Sequence, residues 1–157
     1  MASRYPRAAV AVTLLHRRRG VLLVRRSREP LKGAWSLPGG KIRLGEPVAE
    51  AARREMAEET GVRLLPSQTG SPFTATDAIH GEHHYLIAHV VAEASDEQAA
   101  EAKAGDDAQD LLWVLLDTPG GSGSGDCLAE LASAEVLAVV ARARTILDVQ
   151  HERGALW

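Results

Sequence analysis

Three acidic side chains near the middle of the chain have the spacing of one helix face. Glu55, Glu58 and Glu59 lie at positions i, i+3 and i+4 within the stretch Gly40–Val62. At about 100° per residue they fall within an arc of about 100°, although like charges at this spacing repel by roughly 0.2–0.5 kcal/mol. We therefore expect a cation on this face. An oxygen-only donor set without histidine or cysteine favours Mg²⁺ first and Mn²⁺ next over zinc.

The residues around these acids fit phosphate chemistry. Gly39 and Gly40 precede them and would let the backbone come close to a ligand. Mg²⁺ keeps several waters and shares substrate phosphates, so the cluster suits phosphoryl or pyrophosphoryl transfer. The alternative is a solvated acidic face on which Glu50 and Arg54 form an ordinary i, i+4 ion pair. The flanking glycines favour the metal site, but spacing alone does not identify a reaction.

The acids require a helix to hold them, and the sequence marks both of its ends. Glu46-Pro47 is a typical helix start, because the missing N–H of a proline costs nothing in the first turn. Gly61 is a typical stop, because glycine readily adopts the left-handed conformation after a last turn. The sequence therefore predicts a helix over Val48–Thr60.

Strands are predicted on both sides of this helix. Arg7–His16 and Gly20–Arg26 are rich in Val, Thr and Leu and predict a hairpin, followed by a loop over Ser27–Ala34. After the helix, strand and turn are predicted over Val62–Leu65 and Gln68–Thr76, then a polar loop over Asp77–His84 and a strand over His83–Ala92. An acidic loop, or a loop with a helical turn, is predicted over Glu93–Gln109, followed by a strand over Asp110–Leu116. The last predicted elements are a flexible connector over Thr118–Asp126 and an amphipathic helix from Ser133 to about Val149.

This order predicts a single α+β domain over residues 1–157, with a mixed sheet in an α/β/α arrangement. The strands and helices do not alternate regularly, and no G-x-G-x-x-G or Walker-type loop is present, so a dinucleotide-binding Rossmann fold is a poor match. The net charge of -3 argues against a general nucleic-acid or membrane binder. No segment approaches the roughly 18 apolar residues of a membrane helix. One cysteine, Cys127, permits no internal disulfide, which suits a reducing cytoplasm.

The stretch Gly40–Val62 resembles the signature of the Nudix hydrolases, G-x5-E-x7-R-E-U-x-E-E-x-G-U, in which U is a bulky aliphatic residue. Every constrained position of the signature is occupied by a matching residue. These are Gly40, Glu46, Arg54, Glu55, Met56, Glu58, Glu59, Gly61 and Val62. The resemblance implies the Nudix fold, a mixed sheet between helices, and hydrolysis of a nucleoside diphosphate linked to some group X.

The resemblance also implies roles for individual residues. Glu55 and Glu59 would be the principal metal ligands, with Glu58 and the Gly39 carbonyl completing the set. Arg54 would orient the carboxylates. Glu46 would be its ion-pair partner, which requires Glu46 to sit in the loop before the helix, because eight helical residues rise about 12 Å.

The base that activates the attacking water varies within this family, so the signature leaves it open. Glu58 is one candidate, and an acid on the loop before the last strand is the other. Of the loop acids Glu97, Glu101, Asp106 and Asp107, we prefer Asp107, with Asp106 second. The catalytic set is therefore predicted as Arg54, Glu55, Glu58 and Asp107.

Substrate contacts are expected from residues near the glycine pair. The candidates are Lys41, Arg25 and Glu46. The first expectation for the substrate is ADP-ribose or a nucleotide sugar, and the alternative is a (d)NTP. A non-catalytic nucleotide-binding domain is the rival from another class. A homodimer is a further expectation. Substrate hydrogen bonding is preferred to a zinc site as the role of the four histidines His80, His83, His84 and His89.

Overall fold

The computed structural model describes residues 4–105, 107–116 and 126–154. The elements in these ranges are β1 (Arg7–His16), β2 (Gly20–Arg26), β3 (Trp35–Ser36), β4 (Gly39–Lys41), α1 (Val48–Thr60), β5 (Thr74–His80), β6 (His83–Glu93), α2 (Asp96–Glu101), β7 (Ala108–Val114), α3 (Asp126–Leu131) and α4 (Ala134–Gly154). A 3-10 turn covers Pro66–Gln68. Of the predicted flexible connector Thr118–Asp126, only Asp126 lies inside the described residues, where it begins α3. Within the described ranges, no helix is long and apolar enough to cross a membrane.

The strands of these ranges form one mixed sheet. Its main order is β3-β2-β1-β6-β5, while β4 pairs with β1 and β7 pairs with β2. β1 and β6 run parallel, with Ala11 opposite His89, and the other pairs are antiparallel. The predicted α+β fold with a mixed sheet is confirmed.

Helices cover both faces of this sheet because its central strands are apolar on both sides. Along β1, Val10, Val12 and Leu14 belong to a core shared with α1. The alternate residues Ala11 and Leu15 belong to a second core shared with α4. Successive side chains of a strand point to opposite faces, so one continuous apolar run supplies both layers of the predicted α/β/α arrangement.

α1 has the predicted bounds, and its buried face fixes the direction of its acids. Ala51, Ala52 and Met56 are fully buried against the sheet. Gly61 ends the helix in the left-handed conformation, at φ 69°, and its amide donates to the Ala57 carbonyl at 3.1 Å. Glu55 and Glu59 adjoin this buried face, because the helical period directs them between Ala51 and Ala52.

Two predicted elements after α1 are wrong. Most of the polar segment Asp77–His84 is strand rather than loop, because β5 runs to His80 and pairs with β6 as an edge strand, which tolerates polar side chains. The strand predicted at Val62–Leu65 does not form. Val62 and Leu64 are buried while their neighbours are exposed, so the alternation reflects an extended connection that packs without a strand partner.

The C-terminal elements differ from the prediction mainly in their bounds. β7 begins and ends two residues before the predicted strand Asp110–Leu116, since its antiparallel register with β2 decides which residues pair. The acidic segment contains the helical turn α2, capped by the Ser95 hydroxyl, which accepts from the Gln98 amide at 3.2 Å. α4 extends to Gly154 rather than ending near Val149, and α3 was not predicted.

Candidate active site

The carboxylate face of α1 packs against the glycine pair of β4. Glu59 Oε2 accepts a hydrogen bond from the Gly39 amide at 3.0 Å. The Glu55 carboxylate lies over Gly40, where an added Cβ would come within 2.5 Å of its carboxyl carbon. A Cβ on Gly39 would collide with the backbone oxygen of Val10. Glycine is therefore required at position 39 because β4 and β1 approach each other too closely for a side chain, whereas a side chain at position 40 would displace the Glu55 carboxylate.

Arg54 holds the acids of this face in place. Its Nε and Nη2 donate to the two carboxylate oxygens of Glu46 at 2.7 and 2.9 Å. Nη2 also donates to the Lys41 carbonyl at 2.9 Å, and Nη1 donates to Glu55 Oε1 at 2.7 Å and to Glu58 Oε2 at 3.3 Å. The side chains of Arg54, Glu46 and Glu55 are only 17%, 13% and 12% exposed. Such charge-assisted bonds are stronger where water is partly excluded.

Glu46 reaches Arg54 from outside the helix, as the predicted ion pair requires. α1 begins at Val48, and the preceding Pro47 is extended, with φ -63° and ψ 149°. Hydrogen bonding to Arg54 holds the pKa of Glu46 down at about 2, and the bond from Glu46 raises the pKa of Arg54. Among the described residues Arg54 has no bond to Glu50, so the ordinary i, i+4 pair considered from the sequence is not formed.

Glu59 is the acid whose charge is least stable in this arrangement. Burial raises its pKa to about 7, while the hydrogen bond from the Gly39 amide opposes that shift. The charges of Glu55 and Asp107 raise this pKa further, and that of Arg26 lowers it. A group of partly buried carboxylates near one another favours either protonation or a bound cation.

The donor set fits a hard divalent cation. Within the described residues, Glu55 Oε2 and Glu59 Oε1 have no hydrogen-bond partner, so each can accept a metal ion. No three His, Cys, Asp or Glu side chains in the described ranges already converge as a ready-made metal site. The two oxygens of Glu58 face Arg54 and Arg43 at 3.3 and 3.5 Å. Two carboxylates completed by waters and substrate phosphates are an arrangement that Mg²⁺ commonly uses.

Asp107, the preferred loop base, interacts electrostatically with this site, because its charge adds to the burial that raises the pKa of Glu59. Arg28 Nη2 lies 2.6 Å from Asp107 Oδ1, and the Ser27 hydroxyl donates to the Asp107 carbonyl at 2.6 Å. Asp107 is therefore held between the loop after β2 and the loop before β7.

The other loop acids are not brought to α1 in this way. Glu97 and Glu101 lie on α2, and Glu97 lines a cleft of about 880 Å³. That cleft also contains His16, the last residue of β1, whereas the glycine pair lies beside the first half of β1. This cleft and the carboxylate site are thus separate. Asp106 lies outside the described residues.

Arg26 is a basic residue near these acids that was not among the predicted substrate contacts. It is the last residue of β2 and lowers the pKa of Glu59 against the effect of burial, while its Nε donates to the Pro30 carbonyl at 2.8 Å. The predicted Arg25 is exposed, and its Nε donates to the Gly33 carbonyl at 3.2 Å. The pairing of β2 with β7 is irregular between the two arginines, so strand alternation alone does not assign them to faces. The predicted Lys41 is exposed beside Gly40.

The four histidines of the β5–β6 hairpin do not converge. His84 Nε2 lies 2.8 Å from Asp77 Oδ1, and His89 Nε2 lies 2.8 Å from the Thr76 hydroxyl. His83 stacks on Tyr85, with ring centroids 6.5 Å apart. No group of three such side chains that could hold a metal ion is found among the described residues.

The comparisons with known proteins agree with this geometry. The family model described as the NUDIX domain matches residues 4–126. An ADP-ribose pyrophosphatase from Methanocaldococcus jannaschii is 35% identical over 114 residues, covering 72% of this chain and 65% of that protein. The nucleoside triphosphatase NudI from Escherichia coli is 34% identical over 93 residues, covering 52% of this chain and 62% of that protein. The chain therefore spans slightly less than two thirds of the length of either relative.

A solved structure shares the fold over most of its length. The NUDIX domain of Shewanella oneidensis NrtR, crystallised with ADP ribose, superposes with a TM-score of 0.70 at 21% identity, covering 93% of this chain and 91% of that one. At this identity the likeness concerns the fold. With the family model matching well over half of the residues and the signature acids gathered on α1, the chain belongs to the Nudix family.

Proposed function

We propose that this protein is a Mg²⁺-dependent pyrophosphohydrolase that cleaves a nucleoside diphosphate linked to another group. The observation that carries the proposal is the pair Glu55 and Glu59, each with an oxygen available to a cation, on the face of α1 that packs on Gly39 and Gly40. The family membership supports the same reaction. Mn²⁺ is the expected substitute for Mg²⁺, because both prefer oxygen ligands.

The chemistry is divided among residues of this chain. A bound divalent cation supplies neutralisation of the diphosphate and polarisation of the attacked phosphorus. Glu55 and Glu59 hold it, with the Gly39 carbonyl and Glu58 as further predicted ligands. Arg54 keeps Glu55 in position through its bonds to Glu46 and Glu55.

Asp107 accepts a proton from the attacking water in this proposal. Its Oδ1 is paired with Arg28, while its Oδ2 has no partner among the described residues. The alternative base, Glu58, has an arginine near each oxygen. The oxygen of Asp107 that has no arginine beside it supports Asp107 over Glu58 as the base.

ADP-ribose or a nucleotide sugar is the proposed substrate class. The name of the Methanocaldococcus relative and the ADP ribose bound to the Shewanella domain support it. A (d)NTP is the second candidate, supported by the name of the Escherichia relative. Lys41 and Arg26 are candidates for phosphate contacts, because Lys41 follows Gly40 on β4 and the charge of Arg26 acts on Glu59. The predicted contact by Arg25 stays a proposal.

The remaining proposals concern the protein as a whole. The partner is a small nucleotide, without nucleic acid or membrane, and the setting is the cytoplasm. We propose one domain that extends beyond the matched residues to α4, since α4 packs on the second core of the sheet. A homodimer stays a prediction, which analytical ultracentrifugation tests.

A substrate panel tests the proposed reaction. Purified protein is incubated with ADP-ribose, nucleotide sugars, dinucleoside polyphosphates and dNTPs, with Mg²⁺, with Mn²⁺ or with EDTA, and products are separated by ion-exchange chromatography. We expect AMP and ribose 5-phosphate from ADP-ribose, with no product in EDTA. Nucleoside monophosphate and pyrophosphate from dNTPs would select the second candidate. Nucleotide binding without turnover of any substrate would favour the non-catalytic domain and contradict the proposal.

A further inference from the structure

The loop between α2 and β7 docks on the C-terminal end of α1. The Gly105 amide donates to the Glu59 carbonyl at 2.8 Å, and the Lys103 amide donates to the Thr60 carbonyl at 3.0 Å. Carbonyl groups in the last turn of a helix have no partner within the helix. The loop therefore supplies two of the hydrogen bonds that the end of α1 requires, one of them at a residue whose side chain belongs to the candidate metal site.

Gly105 has no room for a side chain at this contact. An added Cβ would collide with the backbone oxygen of Glu58, so either the loop or the helix end would have to move. Backbone atoms of a helix cannot rotate away as a flexible side chain can. Gly70 offers a contrast, because a Cβ added there would have no atom within 4 Å. The requirement for glycine at position 105 is therefore imposed by close packing.

Asp107 follows this contact by two residues and is held from the opposite side as well. Arg28 pairs with its carboxylate, and the Ser27 hydroxyl bonds to its carbonyl. We propose that Gly105 is a positioning residue. Its contact with the C-terminal end of α1 fixes the loop so that Asp107 lies near Glu59. The inference rests on the proposed function, in which Asp107 is the base. In this proposal the backbone contact of Gly105 with the end of α1 links the position of Asp107 to that of the metal-binding helix.

A purely structural role for Gly105 makes a different prediction. In that case G105A would lower the melting temperature while the folded fraction kept its normal kcat. A positioning role lowers kcat in folded protein and leaves KM nearly unchanged, because the metal and phosphate contacts on α1 remain. It also predicts that G105A has no further effect once the Asp107 carboxylate has been removed.

The experiment compares kcat and KM for the wild type, G105A, D107A, the G105A/D107A double variant and the control G70A. We expect G105A to lower kcat at least tenfold with KM within twofold. The double variant should match D107A within twofold, and G70A should match the wild type. A normal kcat in G105A or in D107A would overturn the inference, as would losses that multiply in the double variant.

Arg28 provides a second variant if G105A does not fold. Its side chain is 78% exposed, so R28A should fold normally. We expect R28A to lower kcat severalfold, R28K to recover most of that loss, and R28A to have no effect in the D107A background. A raised KM that persists in the D107A background would show that Arg28 binds phosphate directly, and would contradict its role in holding Asp107.

Failure of the proposed function has a separate signature, which is a wild type that hydrolyses nothing on the panel. Amide hydrogen exchange then decides whether the loop is docked. The Lys103 and Gly105 amides should exchange slowly in the wild type, and Lys103 should lose protection in G105A while α1 keeps it. Fast exchange of both amides in the wild type would overturn the docking itself.

Discussion

The acids of α1 and the acid of the α2–β7 loop reach the same site in different ways. Glu55 and Glu59 are one helical turn apart, so the helix brings them together as soon as it forms. Asp107 lies nearly fifty positions later and is held by Ser27 and Arg28, next to the contact of Gly105 with the Glu59 carbonyl. The comparison teaches that the proposed metal-binding part of the site is encoded locally. The position of the proposed base depends on three segments being packed together.

The largest expected effect comes from the local part. E55Q and E59Q should each lower kcat by a hundredfold or more, about 3 kcal/mol of barrier, because each substitution removes a charge that holds the cation. Circular dichroism should show that both variants remain folded. The matched control is E50Q, which changes an exposed acid on the same helix. Near-normal turnover in E55Q or E59Q would contradict the metal assignment.

A smaller effect is expected from the base. D107A should lower kcat by roughly tenfold to a hundredfold, within the usual range for a general base, with the metal dependence unchanged. E97A is the matched control from the same acidic segment, and it should stay within twofold of the wild type because Glu97 lines the distant cleft. Equal losses in D107A and E97A would remove the preference for Asp107.

The last effect concerns stability in acid rather than catalysis. The pKa of Glu46 lies at about 2 in the folded protein, below its ordinary 4.5, because Arg54 hydrogen bonds to it. Its contribution is therefore complete above pH 4.5 and is lost as the pH falls towards 2. E46Q should lower the free energy of unfolding near neutral pH by about 1.5–3 kcal/mol, as for other hydrogen bonds to charged groups.

Urea unfolding from pH 7 to pH 2 measures this contribution. The difference in the free energy of unfolding between the wild type and E46Q should decrease as the pH falls from 4.5 towards 2. A difference that is independent of pH would show that it does not come from the Glu46–Arg54 ion pair. E50Q again serves as the control, and it should track the wild type at every pH.

The elements that were predictable have periodic patterns. β1, β2 and α1 have the predicted bounds, because strand alternation and the glycine stop at Gly61 act over a few residues. The second half of β5 was missed because an edge strand keeps polar residues such as Asp77 and His80, so composition alone favours a loop. The bounds of β7 were missed by two residues, since pairing with β2 rather than its own apolar run sets them.

The sequence by itself determined the acidic face of α1, the glycine pair before it and the match to the Nudix signature. The helical period alone fixes the relative directions of side chains at a given spacing, whatever the rest of the protein does. Only the tertiary structure decided that Glu55 lies on Gly40, that the charge of Arg26 acts on Glu59, and that Asp107 pairs with Arg28. These contacts connect segments far apart in the chain. Their geometry depends on how strands pair and how loops pack on helix ends, which no local pattern of residues specifies.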